Sequence, residues 1–175
     1  MIREILIWPD PRLKEKTRLV EGVDDELRKL IDDMYETMYD AEGVGLAANQ
    51  IGVGLRLAVI DTSTAEDGGL GPMVMINPEI LSTEGSIRFR EGCLSIPGES
   101  EEVIRAPKVR FRFRDLDWNL VEMEATGFSA VAVQHECDHL DGKVYVDRIS
   151  SLKRERIRKR MKRLKEARAA QAEEA

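Results

Sequence analysis

The first long pattern in the chain is helical. In "DDELRKLIDDMYETMYDAEG" the apolar residues Leu27, Leu30, Ile31, Met34 and Met38 recur every three or four positions, which puts them on one helix face. Asp24 and Asp25 stand at its start, where carboxylates meet unpaired N–H groups, and Gly43 follows its end. "LRLAVID" is a short strand run, and the Gly-rich "TSTAEDGGLGP" after it is a surface loop. "MVMINPEI", "SIRFRE", "EVIRAPKVRFRFRDLD" and "LVEMEATG" then read as strands. Phe111 and Phe113 alternate with Arg112 and Arg114, as in a strand with one wet face.

The period changes again in "FSAVAVQHECDHLDG", which is apolar nearly all round ahead of its histidines. That predicts a buried helix, ended by Gly142. From Ser150 strong helix formers run to the end of the chain, with Leu152, Ile157, Met161 and Leu164 as a thin apolar stripe. The order predicts an α+β fold: mostly antiparallel sheets around a central metal-binding helix, with a C-terminal helix.

Composition narrows this picture. A chain of 175 residues suits one well-buried domain, and neither a repeat nor a boundary divides it. "MIREILIW" is too short and too interrupted for a signal peptide, and nothing approaches the ~18 apolar residues of a membrane span. Two cysteines do not make a disulfide framework, so the expected compartment is the cytoplasm, with no membrane contact. Charge is uneven: ten cations against four acids give residues 151–175 a net +6, and the whole-chain −6 leaves −12 for residues 1–150.

The candidate chemistry begins at "QHECDHL". Residues i and i+4 of a helix share a face, so His135 and His139 can hold one ion together, with Glu136 beside it as a candidate base. A catalytic site takes three protein ligands and a water, and the chain has no other histidine. Cys137 lies about 200° round the helix from His135 and faces away, as a small buried hydrophobe would. Cys93, in "REGCLSIPG" between a strand run and a Pro-Gly turn, is the better third ligand. A thiolate and two imidazoles suit zinc or another late first-row divalent ion.

"EGVGLAANQIGVGLRLAVID" holds Gly43, Gly45 and Ala48 in a G-x-G-x-x-A pattern, with Asp61 beyond it. A dinucleotide fingerprint needs a strand before its glycines, and here a helix precedes them. The glycines instead let backbone approach a ligand closely and deliver Gln50 towards a site.

Together "GVGLAANQ" (43–50), "EGCLS" (91–95) and "QHECDHL" (134–140) resemble peptide deformylase, in order, spacing and chain length. The resemblance covers residues 1–150 as a catalytic domain, with 151–175 a basic helical tail of the same domain. It implies a hydrolase that removes the formyl group from the N-terminal formyl-methionine of nascent polypeptides and releases formate. Carried onto this chain, Cys93, His135 and His139 hold the metal and Glu136 is the acid/base. The Gln50 amide and the Leu94 N–H are the oxyanion donors, and the Gly45 backbone contacts the peptide. The ion it implies is a single divalent metal, natively Fe(2+), with Zn(2+), Ni(2+) or Co(2+) in preparations. Ser100 departs from some members, which carry a cationic or larger residue near the pocket rim.

Methionine needs a long apolar slot. Phe128, Val131 and Ala132 lie seven, four and three residues before His135, on its face of the helix, and are expected to line that slot with Val44 opposite. Asp138 is read either as a partner of His135 or as a surface ion pair. Two other classes remain open on these residues: a general metallopeptidase, and an RNA- or ribosome-associated module with a structural metal. The basic tail suggests ribosome contact in either an enzyme or a binding module.

Overall fold

The structure, a computed structural model, describes residues 1–66 and 68–175. Position 67, inside the loop expected over "TSTAEDGGLGP", lies outside the described residues.

Helix α1 (Asp25–Asp40) starts where Asp24 accepts the Leu27 N–H at 2.8 Å, leaving Asp25 and Glu26 in its first turn. Its inward face is Leu27, Ile31, Met34 and Met38, with Leu30 only partly covered. Strands β1 (Gly45–Ala47), β2 (Leu57–Ile60), β3 (Met73–Glu84), β6 (Lys108–Arg114) and β7 (Leu120–Thr126) form one antiparallel sheet in the order β1-β2-β3-β6-β7. Strands β4 (Ile87–Cys93) and β5 (Ile96–Arg105) form a separate antiparallel hairpin.

Alternation explains why β2 is apolar throughout. Leu57 and Val59 pack towards α1, whereas Ala58 and Ile60 join the cluster around α2 (Gly127–Leu140). The sheet thus buries both faces here, one against each helix. β6 keeps Val109, Phe111 and Phe113 inside and turns Arg110 and Arg112 to solvent. β3 runs past Pro78 to Glu84, four residues beyond the expected end. It does so through register shifts after Ile76 and Ile80, with Asn77 at φ 53°. Such bulges accommodate a proline that a regular ladder excludes. β1 was not expected as a strand; its three residues gain that state by pairing with β2.

α2 is covered along nearly its whole length, as its composition predicts. On one side Ala130, Val133, Cys137 and Leu140 meet the sheet, and on the other its polar residues face the β4–β5 hairpin. A third cluster joins Leu6, Trp8, Ile96, Val103 and Tyr145 to the C-terminal helix α3 (Ser151–Glu174). Only Ile157 and Met161 of the expected stripe are fully buried in it, and Leu164 is partly covered. Leu152 is 63% exposed, because five residues before Ile157 it stands about 140° round the helix from that buried position. Ser150 caps that turn by accepting the Lys153 N–H at 3.2 Å. No described helix is long and apolar enough to cross a membrane.

Candidate metal centre and substrate groove

Two elements deliver the three donor atoms. α2 stacks His135 and His139 one turn apart, and the end of β4 brings Cys93 against them. The His135 and His139 Nε2 atoms are 3.0 Å apart, and Cys93 Sγ is 3.3 Å from His139 Nε2. All three donor atoms fall within 4.8 Å of one another. A sulfur and two imidazole nitrogens fit a late first-row divalent ion, and three protein donors leave a position for water or substrate. Burial and the neighbouring His135 push His139 well down, towards the neutral form that binds metal. Cys137 is buried in the sheet cluster on the other side of α2, where burial pushes its thiol up to about 12.

His135 turns its other nitrogen away from this cluster. Its Nδ1 is 2.8 Å from Glu91 Oε1, a pairing that fixes the ring and leaves Nε2 to the donor set. Burial opposes ionisation of Glu91, but the Arg105 fork and His135 outweigh it and hold the carboxyl below its ordinary range. Asp138 is not the partner of His135. It is buried and accepts from Arg105 and Arg148 instead, while Glu91 takes the His135 ring nitrogen.

Glu136 is 3% exposed, and its Oε2 has no hydrogen-bond partner among the described residues. Burial pushes its carboxyl up to about 7. It lies directly against the backbone of Gly45, where a Cβ would come within 2.9 Å of its Cδ. Gly43 likewise makes room for Leu94, whose Cδ1 would be 2.6 Å from an added Cβ. Gln50 accepts the Ala47 N–H at 2.9 Å through Oε1, which aims its amide nitrogen the other way. That nitrogen is 3.1 Å from Ser95 Oγ and 3.6 Å from Cys93 Sγ.

A groove of about 1240 Å³ opens over these groups. Val44, Gly45, Gln50, Cys93, Leu94, Phe128, Val131, Ala132, His135 and Glu136 all line it, whereas His139 is buried beneath it. Val44 is 37% exposed, Phe128 is partly covered, and Val131 and Ala132 are buried. Phe128 stacks on Phe89 with ring centroids 5.6 Å apart, so β4 supplies an aromatic wall that was not anticipated. Ser100 is set back from the groove and accepts from Arg90, which does line it. Glu91 and Phe89 were both legible in principle: strand alternation puts residues 89, 91 and 93 on one face. Ser95 and Arg105 carried no such signal, since a turn and a distant strand bring them in.

A carboxylate beside two histidines and a thiol, at the floor of an apolar groove, is the arrangement of a metal-dependent hydrolase. Comparison with known proteins agrees with that class. The family model for polypeptide deformylase matches residues 2–155. The peptide deformylase of Alkalilimnicola ehrlichii is 55% identical over 93% of this chain and 90% of its own length. That of Pseudomonas aeruginosa is 51% identical over 93% and 95%. The crystal structure of a peptide deformylase from Legionella pneumophila superposes with a TM-score of 0.88 at 46% identity, covering 97% of this chain and 98% of that one. The Ehrlichia chaffeensis enzyme in complex with actinonin gives 0.89 at 36% identity, over 93% and 96%. The chain belongs to the polypeptide deformylase family, metal-dependent hydrolases that remove the formyl group from nascent polypeptides.

Proposed function

We propose that the protein hydrolyses formyl-methionyl peptides with Glu136 as the acid/base, and that Cys93, His135 and His139 would hold one divalent ion beside it. The observation that carries this reading is the buried, unpartnered Glu136 carboxylate next to the three converging donor atoms. A bound ion there would supply Lewis acidity and a water reactive at neutral pH. Glu136 accepts a proton from the attacking water and passes it to the departing α-amine, a task suited to a carboxyl raised to about 7. Gln50 Nε2 and the Leu94 N–H donate to the formyl oxygen as negative charge grows on it. The methionine side chain lies along Phe128, Val131 and Ala132 with Val44 opposite, and the peptide backbone runs past Gly45. Ferrous iron is the ion assigned to the site, with zinc, nickel or cobalt able to replace it. Fe(II) binds more weakly than these in the divalent series.

Formate release from a short N-formyl-methionyl peptide tests the reaction. It should disappear on chelation and return with Fe(II) added under anaerobic conditions. Hydrolysis of an internal peptide bond with no formate would assign a general peptidase instead.

Residues 1–150 form the catalytic unit in this reading, and residues 151–175 pack on it as a tail of the same domain through Ile157 and Met161. The protein acts in the cytoplasm, and α3 docks it on the ribosome. Support for docking is the sorting of cations on α3. Lys153 and Arg160 pair with Glu101 and Glu99, and Arg158 stacks over Trp8 at 4.6 Å. Among the described residues Arg156, Lys159, Lys162 and Arg163 make no ion pair, which leaves them free for phosphates. Removing α3 would uncover the core, so charge reversal of these four residues is the cleaner test. It should abolish salt-sensitive ribosome co-sedimentation while activity on a short peptide persists. Equal co-sedimentation would end the docking reading.

A further inference from the structure

Four charged side chains run in a line from His135 to the start of α3. Glu91 receives His135 Nδ1 at 2.8 Å and the Arg105 fork at 2.6 and 2.9 Å. Arg105 Nη1 continues to Asp138 Oδ2 at 2.6 Å. Arg148 closes the line from outside, with Nε and Nη2 at 2.7 and 2.8 Å from the two Asp138 oxygens. The side chains are 4% (Glu91), 2% (Arg105), 11% (Asp138) and 41% (Arg148) exposed, so only the outermost is well hydrated.

Two carboxylates and two guanidiniums balance in this line. One guanidinium between two buried carboxylates is contested by both, and a charge left unpaired in the interior is costly. With Arg148 in place, Asp138 has a bidentate partner of its own, and the Arg105 fork stays on Glu91. Without it, Asp138 competes for Arg105, and the group that fixes the His135 ring is loosened.

We propose that Asp138 and Arg148 are positioning residues for His135, acting through Arg105 and Glu91 on the orientation of its metal-facing nitrogen. This rests on the reading of His135 as a ligand. Neither residue touches the groove. Arg148 ends the short helical turn Tyr145–Arg148, two residues before the Ser150 cap of α3, so the line reaches the junction with the C-terminal helix.

The test reads the rate at which bound zinc is lost to excess chelator, with the thermal midpoint recorded alongside. Glu91→Gln should speed loss by about 10–100-fold, the usual effect of removing a ligand's direct partner. Arg148→Met should speed it by about three- to tenfold, and Arg148→Lys, which keeps charge but loses the fork, by about twofold. In the Glu91→Gln background Arg148→Met should add nothing, because the route to His135 is already cut. A full multiplicative effect in that background, or unchanged zinc release in both Arg148 variants, overturns the proposal. If Cys93→Ser and His135→Ala also left zinc release unchanged, the ligand assignment itself would fall, and the proposal with it.

Discussion

The amide nitrogen of Gln50 lies 3.6 Å from the Cys93 sulfur, joining the glycine-rich segment after α1 to the end of β4. Ser95 accepts from the same nitrogen at 3.1 Å, and the Ala47 N–H holds the carboxamide oxygen. The donor is therefore oriented by protein groups before any substrate arrives, the condition under which a fixed dipole is most effective.

Gln50→Leu should lower turnover on a short formyl-methionyl peptide by about 10²–10³, the effect of losing one oxyanion donor. Steady-state kinetics decide the matter. An unchanged kcat with a raised KM would make Gln50 a simple substrate contact.

Glu136→Gln should retain the metal while turnover falls by about 10²–10⁴, the range for a positioned acid/base. Metal content of the purified variant is the control. Loss of the ion would give Glu136 a structural role.

The two cysteines should separate cleanly. Cys93→Ser is expected to weaken or change metal occupancy. Cys137→Ser should leave occupancy intact and cost about 1–3 kcal/mol of stability, since it buries a hydroxyl in the apolar sheet cluster. Metal analysis and denaturant unfolding of both variants report the two effects independently. Reversed outcomes would overturn the ligand set.

Docking of α3 rests on few side chains. Ile157→Ala should destabilise the protein by about 2–5 kcal/mol, because Ile157 is fully buried among Trp8, Ile96 and Tyr145. Leu152→Ala should change stability by less than about 0.5 kcal/mol. Equal effects in urea titrations would mean that the helix seats differently.

What was legible in the chain followed from period. Three- and four-residue spacing located α1, continuous apolar runs located α2 and β2, and alternation located β6 and β7. The class of fold and the family followed, and the residues singled out for chemistry lie at one groove or directly beneath it. What escaped depends on tertiary pairing. β1 is three residues long and exists by pairing with β2. β3 outruns its expected end because bulges absorb Pro78. Leu152 was counted in a helical stripe, yet its five-residue spacing from Ile157 turns it about 140° away from the buried face. Arg105 acts on the site from the far end of β5, and no local pattern marks a charge whose two partners lie on other segments.

The close approach of Gly45 and Glu136 carries a consequence for how this chain can vary. The space that a side chain at position 45 would fill is occupied by the Glu136 carboxylate. Any larger residue there displaces the Glu136 carboxylate. Two codons far apart in the gene are thereby tied to a single volume, and growth of the side chain at position 45 is felt at position 136.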